Sequence, residues 1–316
     1  MGPMVRTLLV LLVIGIGPGL AQDADDTDSP DPTPAGTLNP EPLPPLANPD
    51  APGMAANQLF ARKTLPLAGP PRSIGGYADG CLAGADTLPV TGPSWQVMRP
   101  TRNRNWGNPE LITVIERIAN KAKKLDWNGL LIGDMSQPRG GPMLSGHTSH
   151  QIGLDVDIWF KPMPDHVLSR EEREFDGAVN MITKDRRSVD RRVWTPAHAA
   201  AVRAAAEDPM VTRVFINAVI KKEMCTAVGS DRTWLAKLRP WFGHSEHFHV
   251  RIGCPADSPD CKPQPALPAG DGCGHELDHW FKDAMLHPAL RDPAKPRPSK
   301  TMAALPAVCR QVVKAP

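Results

Sequence analysis

Within the segment from 145 to 160, the residues from Leu154 onward alternate between two faces, and this pattern constrains the fold more than any other feature of the chain. Its apolar positions are Leu154, Val156, Ile158 and Phe160. Asp155, Asp157 and Trp159 fall on the opposite face of the predicted strand. We expect a half-buried strand whose apolar face lies in the core. Its carboxylates then need a cation or good hydrogen bonds, because burying an unpaired charge is costly.

A second segment, from 241 to 252, alternates in the same way. Its apolar residues Phe248, Val250 and Ile252 are predicted to face the core. His247, His249 and Arg251 therefore share the other face of the strand. Two histidines at positions i and i+2 of a strand lie roughly 6–7 Å apart. This spacing suits two neighbouring roles around one ion better than a direct hydrogen bond between the rings.

The two segments predict a metal centre if their strands pair with the polar faces aligned. His150, Asp157 and His249 then converge, and two histidine nitrogens with one carboxylate suit a catalytic zinc whose fourth position is open. Such a metal activates water as a nucleophile near neutral pH. His247 is not needed as a ligand and is placed as general base or acid. The alternative is a set of buried histidines or a structural metal, but the concentration of histidines in two short segments favours a catalytic site.

The N-terminus predicts export. Residues 1–21 combine Arg6, a nine-residue apolar run from 8 to 16 and small residues before Ala21, as in a cleaved signal peptide. Spanning a membrane takes about 20 apolar residues, so no transmembrane segment is expected in the mature protein. The net charge of +2 and the absence of a basic stripe argue against a nucleic-acid partner.

The cysteine content agrees with export, because the chain has an even number of cysteines and no Cys-x-x-Cys pair. Three disulfides are expected, and the spacing leaves all 15 pairings open. The cysteines are Cys81, Cys225, Cys254, Cys261, Cys273 and Cys309.

Composition divides the chain into four parts: a signal peptide (1–21), a disordered linker rich in Pro and Asp (22–57), one folded domain (58–287) and a Pro-rich C-terminal tail (288–316). Within the domain, Asn108-Pro109 predicts a helix start, and Thr195-Pro196 predicts a second helix through Ala206. Strands are predicted at 130–134 and 211–217, followed by a helix to about Met224. The mixture without a regular βαβ rhythm predicts an α+β fold.

The long motifs around the histidines resemble a known family. Gly-His-Thr-Ser-His-Gln-Ile-Gly-Leu-Asp-Val-Asp-Ile from 146 to 158 and Arg-Pro-Trp-Phe-Gly-His-Ser-Glu-His-Phe-His-Val-Arg from 239 to 251 are similar to motifs of the penicillin-insensitive murein endopeptidases. More broadly, the spacing resembles the lysostaphin and D-Ala-D-Ala metallopeptidase superfamily. The resemblance runs from about Ile74 to Cys309.

The resemblance implies roles for individual residues. His150, Asp157 and His249 would bind Zn²⁺, and His247 would assist catalysis. His147 would complete the metal shell, and His244 would be a further active-site histidine. Disulfides would pair Cys81 with Cys309, Cys225 with Cys273, and Cys254 with Cys261. Relatives hold an additional metal near the position of Asp185, but Ser188 stands where that site has histidine, so no second zinc is expected.

The implied fold is a small antiparallel sheet core surrounded by helices and loops and stapled by disulfides. The implied activity is periplasmic hydrolysis of the D-alanyl–diaminopimelate cross-link of peptidoglycan. Because penicillin acylates a serine nucleophile, a mechanism based on activated water would be insensitive to it. Arg251 either binds a substrate carboxylate or is structural, and Asp155 either orients a ligand histidine or makes a structural hydrogen bond.

Two other functions stay open: a carboxypeptidase or dipeptidase of the same superfamily, and a zinc-containing wall-binding module without activity. The intact His247 argues against the module. Peptidoglycan is the expected partner, and a homodimer is left open.

A second metal-binding pattern, His275-Glu276-Leu277-Asp278-His279, fits His-Glu-x-x-His. Zincins need this motif on a stable helix, and the glycines at 270, 272 and 274 are a poor entry into one. Lys282 and Met285 also stand where the longer metzincin motif has glycine and histidine. We therefore expect a solvated segment here.

Overall fold

The fold was analysed in a computed structural model that describes residues 42–125, 127–227, 229–287 and 299–315. The predicted signal peptide, linker residues 22–41 and tail residues 288–298 lie outside the described residues. The strands are β1 (Arg72–Gly76), β2 (Asp79–Ala83), β3 (Asp86–Thr87), β4 (Trp95–Val97), β5 (Trp106–Gly107), β6 (Leu130–Ile132), β7 (Asp155–Trp159), β8 (Val211–Ile216), β9 (Leu238–Pro240) and β10 (His247–Ile252). The helices are α1 (Ala56–Phe60), α2 (Pro109–Ala122), α3 (Arg170–Phe175), α4 (Pro196–Ala206), α5 (Ala218–Ala227), α6 (His275–Asp278), α7 (Asp283–Leu286) and α8 (Ala307–Lys314).

The largest sheet confirms the α+β prediction. Its six strands follow the order β4-β6-β7-β10-β8-β9. The four central strands, β6, β7, β10 and β8, pair antiparallel with one another. The edge strands β4 and β9 pair in parallel with β6 and β8. The antiparallel centre is therefore as expected, whereas the parallel edges were not. Two small ribbons, β1-β2 and β3-β5, lie outside this sheet.

One hydrophobic core holds the sheet and its helices together. Val156 and Ile158 of β7 and Val250 of β10 share it with residues of α2 and α4. Helix α2 begins as predicted, since the side chain of Asn108 accepts a hydrogen bond from the Glu110 amide and Pro109 occupies the first turn. Helix α4 spans the predicted residues. The apolar alternation of the two key strands therefore points into this core, and their polar residues point to the other side of the sheet.

The polar face of the sheet is more enclosed than predicted. Every residue of β7 and β10 is buried, so the expectation of half-buried strands is wrong. The connection between β6 and β7 places His147 and His150 against Asp157 on this face, and its first residues continue the pairing with β7, since the Asp157 amide donates to the Asp134 carbonyl at 3.0 Å. The predicted strand at 130–134 ends at Ile132, which leaves Asp134 in this connecting segment.

A second, smaller core ties the chain ends to the domain. Phe60 of α1, Ile74 of β1 and Val312 of α8 are buried together. Residues 299–315 therefore contribute a packed helix, although they fall in the predicted tail. The cysteines form three disulfides, Cys81–Cys309, Cys225–Cys273 and Cys254–Cys261, which are the pairs implied by the resemblance. The boundaries of the four predicted parts stay a prediction.

Candidate metal centre

Antiparallel pairing of β7 with β10 builds the site. In this register His249 lies opposite Asp157, and Arg251 lies opposite Asp155. Residues directly opposite one another point to the same face of a sheet. The prediction that the two polar faces align is therefore confirmed, and both carboxylates face residues of β10.

Three donor atoms surround one point on this face. The Nε2 of His150 lies 3.2 Å from the Nδ1 of His249. The Oδ1 of Asp157 lies 3.3 Å from His249 Nδ1 and 3.5 Å from His150 Nε2. Tetrahedral zinc, with nitrogen and oxygen ligands at about 2.0–2.1 Å, places neighbouring donor atoms about 3.3 Å apart. The observed triangle has the size that such an ion requires.

The Oδ1 atom of Asp157 gives an independent sign that a cation belongs here. It is fully buried and has no hydrogen-bond partner among the described residues. Burial acts to raise the pKa of this carboxyl, but His247, His150 and His147 outweigh it and hold the pKa well below its usual range. A buried, ionised oxygen without a donor is costly unless a cation approaches it. The donor set therefore fits a divalent metal.

The outer nitrogens of the two ligand-type histidines differ in their contacts. Nδ1 of His150 lies 2.8 Å from the Met135 carbonyl oxygen, so this nitrogen carries the proton and Nε2 keeps its lone pair. Histidine ligands of metals commonly have their second nitrogen held as that of His150 is, which fixes ring orientation and tautomer. Nε2 of His249 is also buried and lies 3.0 Å from Asp155 Oδ1, but it makes no hydrogen bond within the described residues.

His147 adds a fourth donor on the other side of Asp157. Its Nδ1 lies 3.4 Å from Asp157 Oδ2, and its Nε2 lies 3.0 Å from Asp134 Oδ2. Candidate ligand atoms of His147, His150 and Asp157 all lie within 4.8 Å of one another. This group shares His150 and Asp157 with the triangle that contains His249. The donor atoms of that triangle are closer together, at 3.2–3.5 Å. We take the tighter triangle as the core of the site and His147 as its neighbour.

His247 and His244 border the centre. Nε2 of His247 is 3.7 Å from Asp157 Oδ1, and the described residues offer this ring no hydrogen bond. Burial lowers the pKa of His247 to about 3 and that of His249 to about 4, so both rings are neutral at neutral pH. Nδ1 of His244 donates to the Phe242 carbonyl at 2.7 Å. The ring centroids of His244 and His247 are 4.8 Å apart.

Backbone strain marks two of these histidines. His150 has φ of 62° and His244 has φ of 52°, in the left-handed region that residues other than glycine rarely adopt. Strain of this kind concentrates at functional sites, because the surrounding structure holds the residue against its preference. Sequence alternation places His247 and His249, but these two conformations depend on the loops before β7 and β10.

Arg251 is held within the protein. Its Nε and Nη2 lie 2.6 and 3.0 Å from the two oxygens of Asp155, and its guanidinium lies 4.1 Å from the centroid of the Tyr77 ring. Asp155 also accepts a hydrogen bond from the His150 amide at 3.0 Å. These contacts give the Arg251–Asp155 pair a structural role around the two histidines. Substrate binding by Arg251 stays a prediction.

A cleft of about 510 Å³ opens beside the centre. Its lining includes His244, His249 and Arg251 as well as the aromatic residues Phe215 and Trp241. Trp241 is 47% exposed. Trp159 and Trp194, by contrast, are buried. The cleft therefore borders the candidate site through His244 and His249.

The His-Glu-x-x-His pattern does not form a site. Helix α6 covers only His275–Asp278, and both of the motif's histidines are exposed. Asp134, Arg104 and the Met135 carbonyl, in contrast, contact the candidate site and were missed by sequence reasoning. They lie on separate segments with no motif of their own. The only sequence sign was a carboxylate, Asp134, directly after an apolar run.

Comparison with known proteins gives a consistent result. A family model described as penicillin-insensitive murein endopeptidase matches residues 73–314. Proteins of that name from Yersinia enterocolitica, Haemophilus influenzae and Shigella sonnei are similar to this chain. The first is 46% identical over 232 residues, covering 73% of this chain and 84% of the relative. The second is 42% identical over 245 residues, covering 77% and 82%, and the third is 42% identical over 250 residues, covering 79% and 89%.

Within the described residues, none of the helices has both the length and the apolar character needed to cross a membrane.

Proposed function

Because this chain belongs to the family of penicillin-insensitive murein endopeptidases, we propose that it is a zinc-dependent peptidase that hydrolyses the D-alanyl–diaminopimelate cross-link of peptidoglycan. Family membership supports the peptidase activity and the murein substrate. The zinc ion, the bond that is cut and the roles of individual residues are inferred from the chemistry of the site.

The triangle formed by His150 Nε2, Asp157 Oδ1 and His249 Nδ1 is the observation that carries the proposal. These three residues would hold the metal, with His147 beside them. Zinc in such a site supplies a Lewis acid that lowers the pKa of a water molecule and polarises a carbonyl. The buried Asp157 Oδ1, which lacks a hydrogen-bond partner among the described residues, and the neutral ring of His249 meet what zinc needs from its ligands.

His247 is proposed to carry the proton during hydrolysis. Its neutral ring can accept a proton from the attacking water and deliver it to the leaving amine. Its Nε2 lies 3.7 Å from Asp157 Oδ1, close enough to the donor triangle for proton transfer. Neither of its ring nitrogens makes a hydrogen bond within the described residues. His244, held by the Phe242 carbonyl, faces His247 and would help to orient it or the substrate.

The cleft beside the centre would receive a peptide stem of murein. Its aromatic residues, Phe215 and Trp241, offer apolar contact area, and its lining also includes His244 and His249. A periplasmic location is part of the same proposal. The three disulfides support it, because such bonds persist in oxidising compartments.

Digestion of purified, cross-linked murein tests the proposal. Wild-type protein, an EDTA-treated sample, His247→Ala and a matched control, His166→Ala, are compared, and the products are identified by mass spectrometry. His166 is an exposed histidine with a side chain 58% accessible. We expect wild type and His166→Ala to convert dimeric muropeptides to monomers. The EDTA-treated sample and His247→Ala should lose this activity, the latter by about 10²–10⁴-fold, while His247→Ala still binds zinc.

Other outcomes point to the alternatives. Release of terminal D-alanine with intact cross-links would establish a carboxypeptidase. Zinc binding without any cleavage would establish a wall-binding module, and full activity after metal removal would contradict a metallopeptidase.

A further inference from the structure

Asp134 is a buried carboxylate that the preceding mechanism does not use. It is 5% exposed and follows the end of β6. Its Oδ2 lies 2.8 Å from Arg104 Nη1, 3.3 Å from Arg102 Nη1 and 3.0 Å from His147 Nε2. Two guanidinium groups therefore neutralise one carboxylate, and the same oxygen faces the imidazole.

Arg104 joins this carboxylate to the segment that carries His147. Arg104 is itself buried, and its Nη2 donates to Ser145 Oγ at 3.1 Å. Ser145 precedes His147 by two residues. The guanidinium consequently fixes both Asp134 and the backbone next to His147, which leaves the histidine ring little freedom to turn away.

An ionised carboxylate can only accept hydrogen bonds. Both ring nitrogens of His147 face a carboxylate, but Nε2 lies 3.0 Å from Asp134 Oδ2, the shorter of the two contacts, so the proton of the neutral ring belongs on Nε2. Nδ1 then keeps its lone pair and faces Asp157, 3.4 Å from Oδ2. The next residue, Met135, provides the equivalent acceptor for His150. Two consecutive residues after β6 thus set the rings of two histidines in the candidate site.

We propose that Asp134, clamped by Arg104, is a positioning residue that fixes the Nε2–H tautomer of His147 and presents its Nδ1 lone pair to the metal centre. This inference rests on the proposed function, because it assigns the held ring a task in binding zinc. A purely structural ion pair would stabilise the loop without affecting the metal.

The first test reads the tautomer directly. Nitrogen-15 NMR of the histidine rings in metal-free wild-type protein at neutral pH should show the proton of His147 on Nε2. This measurement needs no variant. A proton on Nδ1 would overturn the proposal whatever the activity of the protein.

The second test measures zinc affinity by competition with a chelator. Asp134→Asn keeps the shape of the side chain but removes its charge, and loss of an outer partner of a metal ligand typically costs 10–100-fold in affinity. Asp208→Asn is the matched control, because Asp208 is also a buried carboxylate paired with an arginine, Arg117, and lies outside the site. Thermal melting of both variants reports the loss of stability.

The expected result is weaker zinc binding by about 10–100-fold in Asp134→Asn, with the affinity of Asp208→Asn unchanged even if its melting temperature falls equally. Equal zinc affinity of folded Asp134→Asn and wild type would overturn the proposal. If Asp134→Asn fails to fold, the proposal is accepted or rejected on the NMR measurement of the His147 tautomer in the wild type. Failure of the proposed function is distinguishable, since wild type would then bind no zinc or would bind it without cleaving murein cross-links, whereas this proposal is judged by the zinc affinity of Asp134→Asn relative to wild type.

Discussion

His249 lies directly opposite Asp157 across the antiparallel pairing of β7 and β10, with His249 Nδ1 3.3 Å from Asp157 Oδ1. This pair joins the two histidine-bearing segments, which are separated by about ninety residues in the chain. A shift of one residue in this register would turn one of the two side chains into the core. The register of two central strands therefore determines whether the site exists.

Asp157→Asn should abolish the metal site. The amide has nearly the same shape, but it lacks the charge that draws a cation to Oδ1, and one of its two terminal atoms is a donor. We expect no stoichiometric zinc by elemental analysis and murein hydrolysis reduced by about 10³-fold, because a metal contributes several kcal/mol to such reactions. Asp165→Asn, at a side chain that is 91% exposed, is the control and should keep both properties. Normal zinc content in Asp157→Asn would refute this ligand assignment.

Arg251→Met should destabilise the protein and weaken the site together. Asp155 would lose both guanidinium contacts, and breaking a buried ion pair costs about 3–5 kcal/mol. Urea denaturation measures this loss, and murein kinetics report the effect on the site. Arg192→Met removes an ion pair whose arginine side chain is 85% exposed, and should change the stability far less.

A higher KM with unchanged stability of Arg251→Met would instead favour direct binding of a substrate carboxylate by Arg251.

Removing the Cys81–Cys309 disulfide should destabilise the protein more than removing Cys254–Cys261. The first closes a separation of 228 residues and the second a separation of 7. Loop-closure entropy predicts stabilisation of about 5 and about 2.5 kcal/mol respectively. Double serine variants compared by urea denaturation measure the difference. The reverse order would mean that the packing of α8 holds the C-terminal segment without its disulfide.

Lys221 should make stability depend on pH in the alkaline range. It is fully buried, with Nζ 2.6 Å from the Leu235 and Asp271 carbonyl oxygens, and burial lowers its pKa to about 8. In the unfolded chain the pKa is about 10.4. Between these values the unfolded state binds more protons, so the free energy of unfolding rises with pH.

Lys221→Met isolates this effect. The stability of wild type relative to Lys221→Met should increase by about 2–3 kcal/mol between pH 8 and pH 10.5. Denaturation of both proteins across this range measures the difference. A constant difference would show that the lysine keeps its ordinary pKa despite burial.

Trp241→Ala should weaken substrate binding more than it affects the fold. Trp241 is 47% exposed in the wall of the cleft, and its ring centroid is 5.9 Å from that of Phe215. Loss of one aromatic contact of about 0.5–1.5 kcal/mol would raise KM about 2- to 10-fold. Phe175→Ala, at a residue 51% exposed on α3, is the control. Equal KM values for wild type and Trp241→Ala would show that Trp241 does not contact the substrate.

Much of the local structure follows from short-range patterns. The helix after Asn108 begins where predicted, and the helix after Thr195 has the predicted limits, because their caps and prolines act within one turn. The alternation in β7 and β10 correctly separates core residues from polar ones, since successive side chains of a strand point to opposite faces. The triad His150, Asp157 and His249 could be named from this alternation together with the family resemblance.

The tertiary structure alone decided which groups surround that triad. Strand register placed Asp157 against His249, and the connection after β6 brought Asp134 and the Met135 carbonyl to the histidine rings. The same connection places His147 and His150 on the polar face that the alternation had predicted to be half exposed. These contacts join segments far apart in the chain, and no local propensity encodes them. The sequence by itself thus determined which residue types could make a metal centre, whereas the packing of distant segments determined which groups face their rings, their burial and their final geometry.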